Sequence, residues 1–170
     1  ERLVAQYQRL VWHLVFRMVH QVQDCEDLCQ EVFLRVHQRL GQFRFESALG
    51  TWIGRIAFST AARHLQRRRI PLVEEAEGAQ EQGALVERVA DDFDLEAAVA
   101  DGELMGRLVE ALEALSPVQR TLVTLYHLEE LGIPEIARIT DLPEGTIKNY
   151  LFRARRRLRD RIAPMMGADA

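Results

Sequence analysis

The sequence predicts an all-α protein made of two small helical domains joined by an acidic flexible linker, and three observations support this fold class. Apolar residues recur every three or four positions over long segments, which is the period of one helical face. No segment shows the alternating pattern of a strand. Residues 1–73 carry 11 basic and 6 acidic side chains, residues 74–101 carry 1 and 10, and residues 102–170 carry 10 and 10. We therefore expect domains at 1–72 and 101–170, with the linker at 73–100.

Composition narrows the possible functions. The chain of 170 residues has a net charge of −4, so it has no general attraction to polyanions. Cys25 and Cys29 are its only cysteines, and no second ligand pair follows at zinc spacing, so free thiols in a reducing cytoplasm are expected. No apolar run approaches the roughly 20 residues that cross a bilayer, which predicts no membrane insertion. The histidines are scattered and no phosphate-binding loop is present, so we expect no catalytic site, no metal and no cofactor.

Three helices are predicted in the first domain. Residues 2–22 form the first, and Asp24 can cap a second that runs to a stop at Gly41. After the aromatic loop GQFRFESALG, a third helix is expected from about Thr51 to Arg69, ended by Pro71. The apolar stripes comprise Leu3, Val4, Tyr7, Leu10, Val11, Leu14, Val15, Met18, Val19 and Val22, then Cys25, Leu28, Cys29, Val32, Phe33, Val36 and Leu40, then Trp52, Ile53, Ile56, Ala57, Ala61 and Leu65.

Residues 74–94 have high charge, two glycines and little periodicity, which is typical of a segment that does not order itself. Helical spacing returns at Leu95 and continues to Leu115. The following SPVQ places a cap at Ser116, a proline at the first helical position and Gln119 where a capping box requires it. The apolar residues expected on the inner faces here are Leu95, Val99, Leu104, Leu108, Leu112, Leu115, Leu122, Val123, Leu125 and Tyr126.

The stretch EGTIKNYLFRARRRLRDRI, residues 144–162, contains seven Lys or Arg side chains. On a helix its apolar residues form one stripe, and the basic residues lie off that stripe. Taken alone, this pattern also fits an ordinary solvated charged face. The apolar stripe comprises Ile147, Leu151, Ala154, Leu158 and Ile162.

The segment before this helix changes that interpretation. A short helix with Ile136, Ala137 and Ile139 inside is followed by a tight break at residues 141–143 and then by the basic helix. This arrangement predicts a helix-turn-helix, whose second helix enters the major groove of DNA. Its first residues would reach base edges, while the later arginines would hold phosphates.

Two long stretches resemble a known family. EALSPVQRTLVTLYHLEELGIPEIARITDLPEGTIKNYLFRARRRLR is similar to the fourth conserved region of bacterial extracytoplasmic-function sigma factors. DCEDLCQEVFLRVHQRLGQFRFESALGTWIGRIAFSTAARHLQRRR resembles their second region. The two occur in the family's order and are separated by a variable linker. The resemblance implies a factor that binds core RNA polymerase and directs promoter-specific initiation of transcription.

The resemblance also implies three sets of site residues. The second region would meet the clamp coiled coil of the largest polymerase subunit through Asp27, Gln30 and Glu31. It would hold the separated strands of the promoter melting element through Phe43, Arg44, Phe45, Arg55, Ser59, Arg63, Arg67 and Arg68, whereas Trp52 is expected in the core. The fourth region would bind the flap of the second-largest subunit and read the minus-35 element through Glu144, Thr146, Lys148, Asn149, Tyr150, Arg153, Arg155 and Arg156.

Two residues depart from the family's pattern. The family usually has Asn where Ser59 stands, and a basic residue commonly stands where this chain has Tyr150. Tyrosine can touch a thymine methyl or a phosphate but cannot make a bidentate contact to guanine, so an unusual minus-35 preference is expected. The acidic linker would thread the positively charged interior of the polymerase.

An alternative fits the helix pattern without the polymerase. It is a stand-alone helix-turn-helix regulator whose N-terminal helical domain dimerises or senses a ligand. Such a regulator should bind duplex DNA alone, whereas a sigma factor should bind core polymerase first. Many sigma factors of this kind are controlled by an anti-sigma factor, and others by phosphorylation, so a regulatory partner is expected here too.

Overall fold

The computed structural model describes residues 2–73 and 102–166, and every regular element in these two ranges is helical. The all-α class is therefore confirmed for this part of the chain. Nearly all of the predicted linker, together with the predicted helical positions Leu95 and Val99, lies outside the described residues.

Three helices form the N-terminal half: α1 spans Arg2–Val19, α2 spans Val22–Arg39 and α3 spans Leu49–Arg67. A 3-10 turn at Leu40–Gln42 follows α2, and the aromatic loop then leads into α3. Each helix packs against the other two, because each presents one apolar stripe inward. The buried hydrophobic residues are Val11, Leu14, Val15, Met18, Cys25, Leu28, Val32, Val36, Ile53, Ile56, Ala57, Phe58, Ala61 and Leu65.

The boundaries of the first two helices differ from the prediction. α1 ends at Val19 rather than at residue 22, because His20 has a φ of 63° and turns the chain. Val22 begins α2 and is exposed, so it does not belong to the stripe of α1. Asp24 lies inside the first turn of α2 and is not its cap; its carboxylate instead contacts the Arg68 guanidinium at 2.9 Å.

The C-terminal half contains two helices, a π-helical turn and the predicted helix-turn-helix. The Ser116 cap is confirmed, since the backbone N–H of Gln119 donates to the Ser116 hydroxyl at 3.3 Å. The elements are α4 at Gly102–Glu113, α5 at Pro117–Val123, the π-helical turn at Thr124–Leu128, α6 at Ile133–Thr140 and α7 at Glu144–Met166.

The turn between α6 and α7 is three residues long and starts with a left-handed residue. Asp141 has a φ of 61°, and its N–H donates to the Ala137 carbonyl at 2.9 Å, which ends α6. α7 then lays its apolar stripe on α4, α5 and α6. The predicted stripe is confirmed, because Ile147, Leu151, Ala154, Leu158 and Ile162 are all buried.

The π-helical turn corrects one predicted position. Leu122, Val123 and Leu125 are buried as expected, but Tyr126 is 37% exposed. One extra residue per turn rotates the side chains that follow, so a position that a regular helix would bury faces outward.

The two halves pack against each other. α3 contacts α6, and α1 contacts α5 and the π-helical turn. An added Cβ at Gly54 of α3 would lie 3.1 Å from Cδ1 of Ile139, so the helices approach closely where a side chain is lacking. This contact brings the helix-turn-helix next to α3. The periodicity of the sequence did not predict it.

Candidate functional site

The predicted polymerase-binding residues share one side of α2. Asp27 and Gln30 are exposed and one turn apart. Glu31 was expected to be exposed as well, but it is half-buried and pairs with Arg35, four residues later on the same helix. Arg35 neutralises the Glu31 carboxylate. Asp27 is therefore the exposed acidic side chain among the three predicted residues.

An apolar groove lies beside this strip. It has a volume of about 740 Å³ between α1 and α2, and Gln30 belongs to both the groove and the strip. Sequence reasoning assigned Cys29 and Phe33 to the core, whereas both are half-buried and line the groove. Their position at the edge of the apolar stripe of α2 is the signal that could have separated them from the core residues. The other lining residues are Val4, Gln8, Arg9, Trp12 and Glu26.

The aromatic loop forms a small cluster at the start of α3. The Phe43 ring lies 4.8 Å from the Phe45 ring and 5.3 Å from the Trp52 ring, measured between centroids. Phe45 is 85% exposed and has a φ of 59°, so a left-handed turn holds an aromatic ring in solvent. Trp52 is half-buried and packs against the core, which places it under this cluster.

A polar cavity of about 370 Å³ opens next to the cluster. Phe43, Arg44, Trp52 and Arg55 line it from the N-terminal half. Aromatic faces beside guanidinium groups can stack an unstacked base and neutralise its phosphate. Arg138, from α6, also lines the cavity, and sequence reasoning did not anticipate it.

The remaining predicted residues of α3 lie further along the helix. Ser59 is half-buried, and its hydroxyl donates to the Ile56 carbonyl at 3.1 Å. Arg63 is exposed, with its Nε donating to the Ser59 carbonyl at 3.2 Å. Arg67 is exposed, whereas Arg68 is bound to Asp24 and to Gln21. All three arginines are exposed, but the Arg68 guanidinium is already engaged by an ion pair with Asp24.

The predicted minus-35 residues lie along the first four turns of α7. Glu144 and Lys148 are exposed, while Thr146 and Asn149 are half-buried. Tyr150 is also half-buried and packs against the core, so its ring has a structural role beside any contact to DNA. Arg156 is exposed, whereas Arg153 and Arg155 are half-buried and interact with other parts of the chain.

Burial shifts the pKa values of several groups near these surfaces. It raises the pKa of the Cys25 and Cys29 thiols to about 11. It lowers the pKa of His20, and the nearby Arg120 guanidinium lowers it further. In the part of the chain that the structure describes, no three His, Cys, Asp or Glu side chains are grouped as metal ligands. No described helix is both long enough and apolar enough to span a membrane.

Comparison with known proteins gives two family matches, one in each half of the chain. Residues 3–70 match Sigma-70 region 2, and residues 105–158 match Sigma-70, region 4. The aromatic loop and α3 thus fall in the first match, and the helix-turn-helix falls in the second. A helical protein with these two regions is a sigma factor.

Relatives that align over most of their length show which group of sigma factors this chain belongs to. The chain is 34% identical to the RNA polymerase sigma-H factor of Pseudomonas aeruginosa, and 36% identical to the ECF RNA polymerase sigma-E factor of Escherichia coli. Each alignment covers 96% of this chain and 86% of the relative. The chain belongs to the extracytoplasmic-function family of bacterial RNA polymerase sigma factors. It binds core RNA polymerase and directs the initiation of transcription at promoters, so the stand-alone regulator is not favoured.

Solved structures share the fold. The sigma factor RpoE from Bartonella quintana, in complex with the anti-sigma factor NepR, matches with a TM-score of 0.68 at 19% identity, covering 95% of each chain. CnrH in complex with the cytosolic domain of CnrY matches with a TM-score of 0.62 at 20% identity, covering 99% of this chain and 88% of CnrH.

Proposed function

We propose that each of the three surfaces has a different binding role in a sigma factor. The strip at Asp27, Gln30 and Glu31 binds the clamp coiled coil of the largest polymerase subunit. The loop and α3 hold the separated DNA strands, and the start of α7 reads the minus-35 element while its later turns meet phosphates or the flap. The observation that carries this division is the exposed aromatic cluster beside arginines, far along the chain from a separate basic helix.

The domain boundaries follow from the same division. We propose a polymerase-binding and melting domain at 1–72, an acidic linker at 73–100 and a minus-35-binding domain at 101–170. The family matches at 3–70 and 105–158 support these limits.

The melting surface, which consists of the aromatic loop and α3, suits a single DNA strand better than a duplex. A flat aromatic ring that is 85% exposed, as at Phe45, gives an extruded base a face on which to stack. Each such stack contributes about 1–3 kcal/mol, and it is available only once the strands have separated. The surface therefore favours the melted state over the closed duplex, which is how binding energy opens a promoter.

The sigma-factor family is not an enzyme family, and we propose that this chain acts without catalytic chemistry of its own. It works in the cytoplasm, where core polymerase and promoter DNA are present. An anti-sigma factor or a comparable regulator is its further partner, a proposal supported by the anti-sigma partners in the two similar structures.

A charge reversal tests the polymerase-binding surface. Asp27→Lys should weaken binding to core polymerase by roughly tenfold, because it places a cation where a basic helix is expected to dock. Glu110→Lys is the matched control, since Glu110 is also exposed but lies on α4, away from the strip. Affinity is measured by titrating labelled chain with core polymerase, and circular dichroism checks the fold. A change within twofold for Asp27→Lys would reject this assignment.

A further inference from the structure

The polar cavity beside the aromatic cluster is built from both halves of the chain. Its lining residues come from the aromatic loop, from α3 and, through Arg138, from α6. Arg138 is brought to the cavity because α6 packs on α3, where Gly54 leaves room for the Ile139 side chain. The complete set of lining residues therefore exists only while the two halves are packed together.

One wall of the cavity is aromatic. The Phe43 and Trp52 rings both line it, and their centroids lie 5.3 Å apart. Trp52 is half-buried against the core, so its neighbours hold the indole in place. A ring that is already fixed offers a flat heterocycle a surface on which to stack, at little cost in side-chain entropy.

The charges around the cavity favour an anion. Three of its described lining residues are the arginines Arg44, Arg55 and Arg138, and the acidic one is Glu46, which leaves a net charge of +2. Asp141 lies 3.9 Å from the Arg55 guanidinium, but the two side chains are 86% and 60% exposed, so solvent screens this pair. Guanidinium groups bind phosphate oxygens through paired N–H donors.

Size and polarity restrict the ligand further. The volume of about 370 Å³ lies at the lower end of the ~300–1,000 Å³ that small-molecule sites occupy. Ser47 and Thr51 add hydroxyl groups, which can hydrogen-bond a sugar. A stacking wall, hydroxyls and arginines in one small cavity together match the base, the sugar and the phosphates of a single nucleotide.

We propose that the free chain binds a nucleoside diphosphate in this cavity, with the base on the aromatic wall and the phosphates held by the three arginines. Because Arg138 belongs to the other half, the ligand bridges the halves and stabilises their packing. Binding of a free nucleotide requires neither polymerase nor promoter. The site is therefore additional to the proposed function, although the two share residues of the aromatic loop and α3.

Isothermal titration calorimetry of the full free chain with adenosine diphosphate (ADP) tests the bridging role. Arg138→Ala should weaken binding roughly tenfold, because it removes a charge-assisted bond to phosphate. Arg161→Ala is the matched control, since Arg161 is also an exposed arginine of the C-terminal half but does not line the cavity. Glu46→Gln should tighten binding, because it removes a carboxylate from the lining. Equal affinities of the two arginine variants would overturn the bridge.

Fragments of ADP test the chemical class of the ligand. Adenosine lacks the phosphates and pyrophosphate lacks the base, so each should bind roughly tenfold or more weakly than ADP. If pyrophosphate bound as tightly as ADP, the cavity would be a general anion site, and if adenosine did, the phosphates would have no role. Either result would overturn the assignment to a nucleotide, as would the lack of any ADP binding by the wild type.

Trp52 fluorescence locates the base. The chain has two tryptophans, so Trp12→Phe leaves Trp52 as the only one. ADP should quench the fluorescence of this variant, with the affinity that calorimetry gives, and unchanged fluorescence would place the ligand elsewhere. Promoter-specific transcription without ADP binding would reject this inference alone. ADP binding without promoter-specific transcription would reject the proposed function alone.

Discussion

At the scale of single residues, burial changes the acid–base properties of the two cysteines. Cys25 is fully buried, and Cys29 is half-buried in the groove between α1 and α2. Desolvation disfavours the charged form of a thiol, which raises both pKa values. The expectation of two free thiols agrees with the structure, which shows no disulfide between them.

These pKa values predict slow alkylation. At pH 8 a thiol with a pKa of about 11 is roughly one part in a thousand thiolate, about 100-fold less than a thiol at the ordinary value, and the thiolate is the reacting species. Iodoacetamide should therefore modify the folded chain about 100-fold more slowly than the urea-unfolded chain, as followed by mass spectrometry. Similar rates in the two states would be inconsistent with buried thiols.

His20 links acidity to the contact between the halves. Its lowered pKa means that the unfolded chain takes up a proton at higher pH than the folded chain does. The free energy of unfolding should therefore fall as the pH drops below the ordinary value of about 6.5. The same proton would place a positive charge near Arg120, which is the second cause of the lowered pKa.

The variant His20→Asn isolates this effect. Asparagine tolerates the left-handed backbone at this position but does not titrate in this range. Urea unfolding at about pH 7.5 and pH 5.5 should show a smaller loss of stability on acidification for the variant than for the wild type. An equal or larger loss in the variant would show that His20 is not responsible.

At the scale of helices, sequence periodicity predicted which faces are buried but not which helices meet. The stripe of α7 was predicted in full, because a 3.6-residue period is a local property. Three features depend on backbone geometry or distant partners and were missed. They are the break at His20, the outward turn of Tyr126 and the packing of α3 on α6.

The candidate site was predictable to a similar extent. The resemblance proposes all three sets of residues, and the structure shows that Asp27, Phe45 and Lys148 are exposed, which a binding role requires. The sequence could not show that Arg68 forms an ion pair with Asp24, since these residues are far apart in the chain. Nor could it show that Arg138 borders the melting surface, because that depends on how the halves pack.

The two ends of α7 should respond differently to substitution. Lys148→Ala should change which minus-35 sequence is preferred, at about 1–3 kcal/mol for a lost base contact. Arg156→Ala should weaken binding to all promoters about equally and reduce the slope of log affinity against log salt by roughly 1. Both residues are exposed, so neither change should disturb the fold.

These measurements require the holoenzyme, because one helix offers a modest area and the free chain has a net charge of −4. Promoter preference is read from a library of minus-35 sequences, and salt dependence from a titration with potassium chloride. An unchanged preference in the Lys148 variant, together with an unchanged slope in the Arg156 variant, would return this helix to an ordinary solvated basic face.

At the scale of the whole molecule, the proposed function gives one chain a polymerase-binding strip, a melting surface and a helix that reads the minus-35 element. The net charge gives no general attraction to DNA, so the polymerase must supply much of the affinity and the chain must supply the choice of promoter. Core binding first and DNA second is the order that this arrangement favours.

Run-off transcription with purified core polymerase and a library of promoter fragments tests the central claim most directly. We expect transcripts with defined start sites only when the chain is added, and far fewer with Asp27→Lys than with the control Glu110→Lys. The same transcripts in the same amounts with and without the chain would contradict its role as a promoter-specific initiation factor.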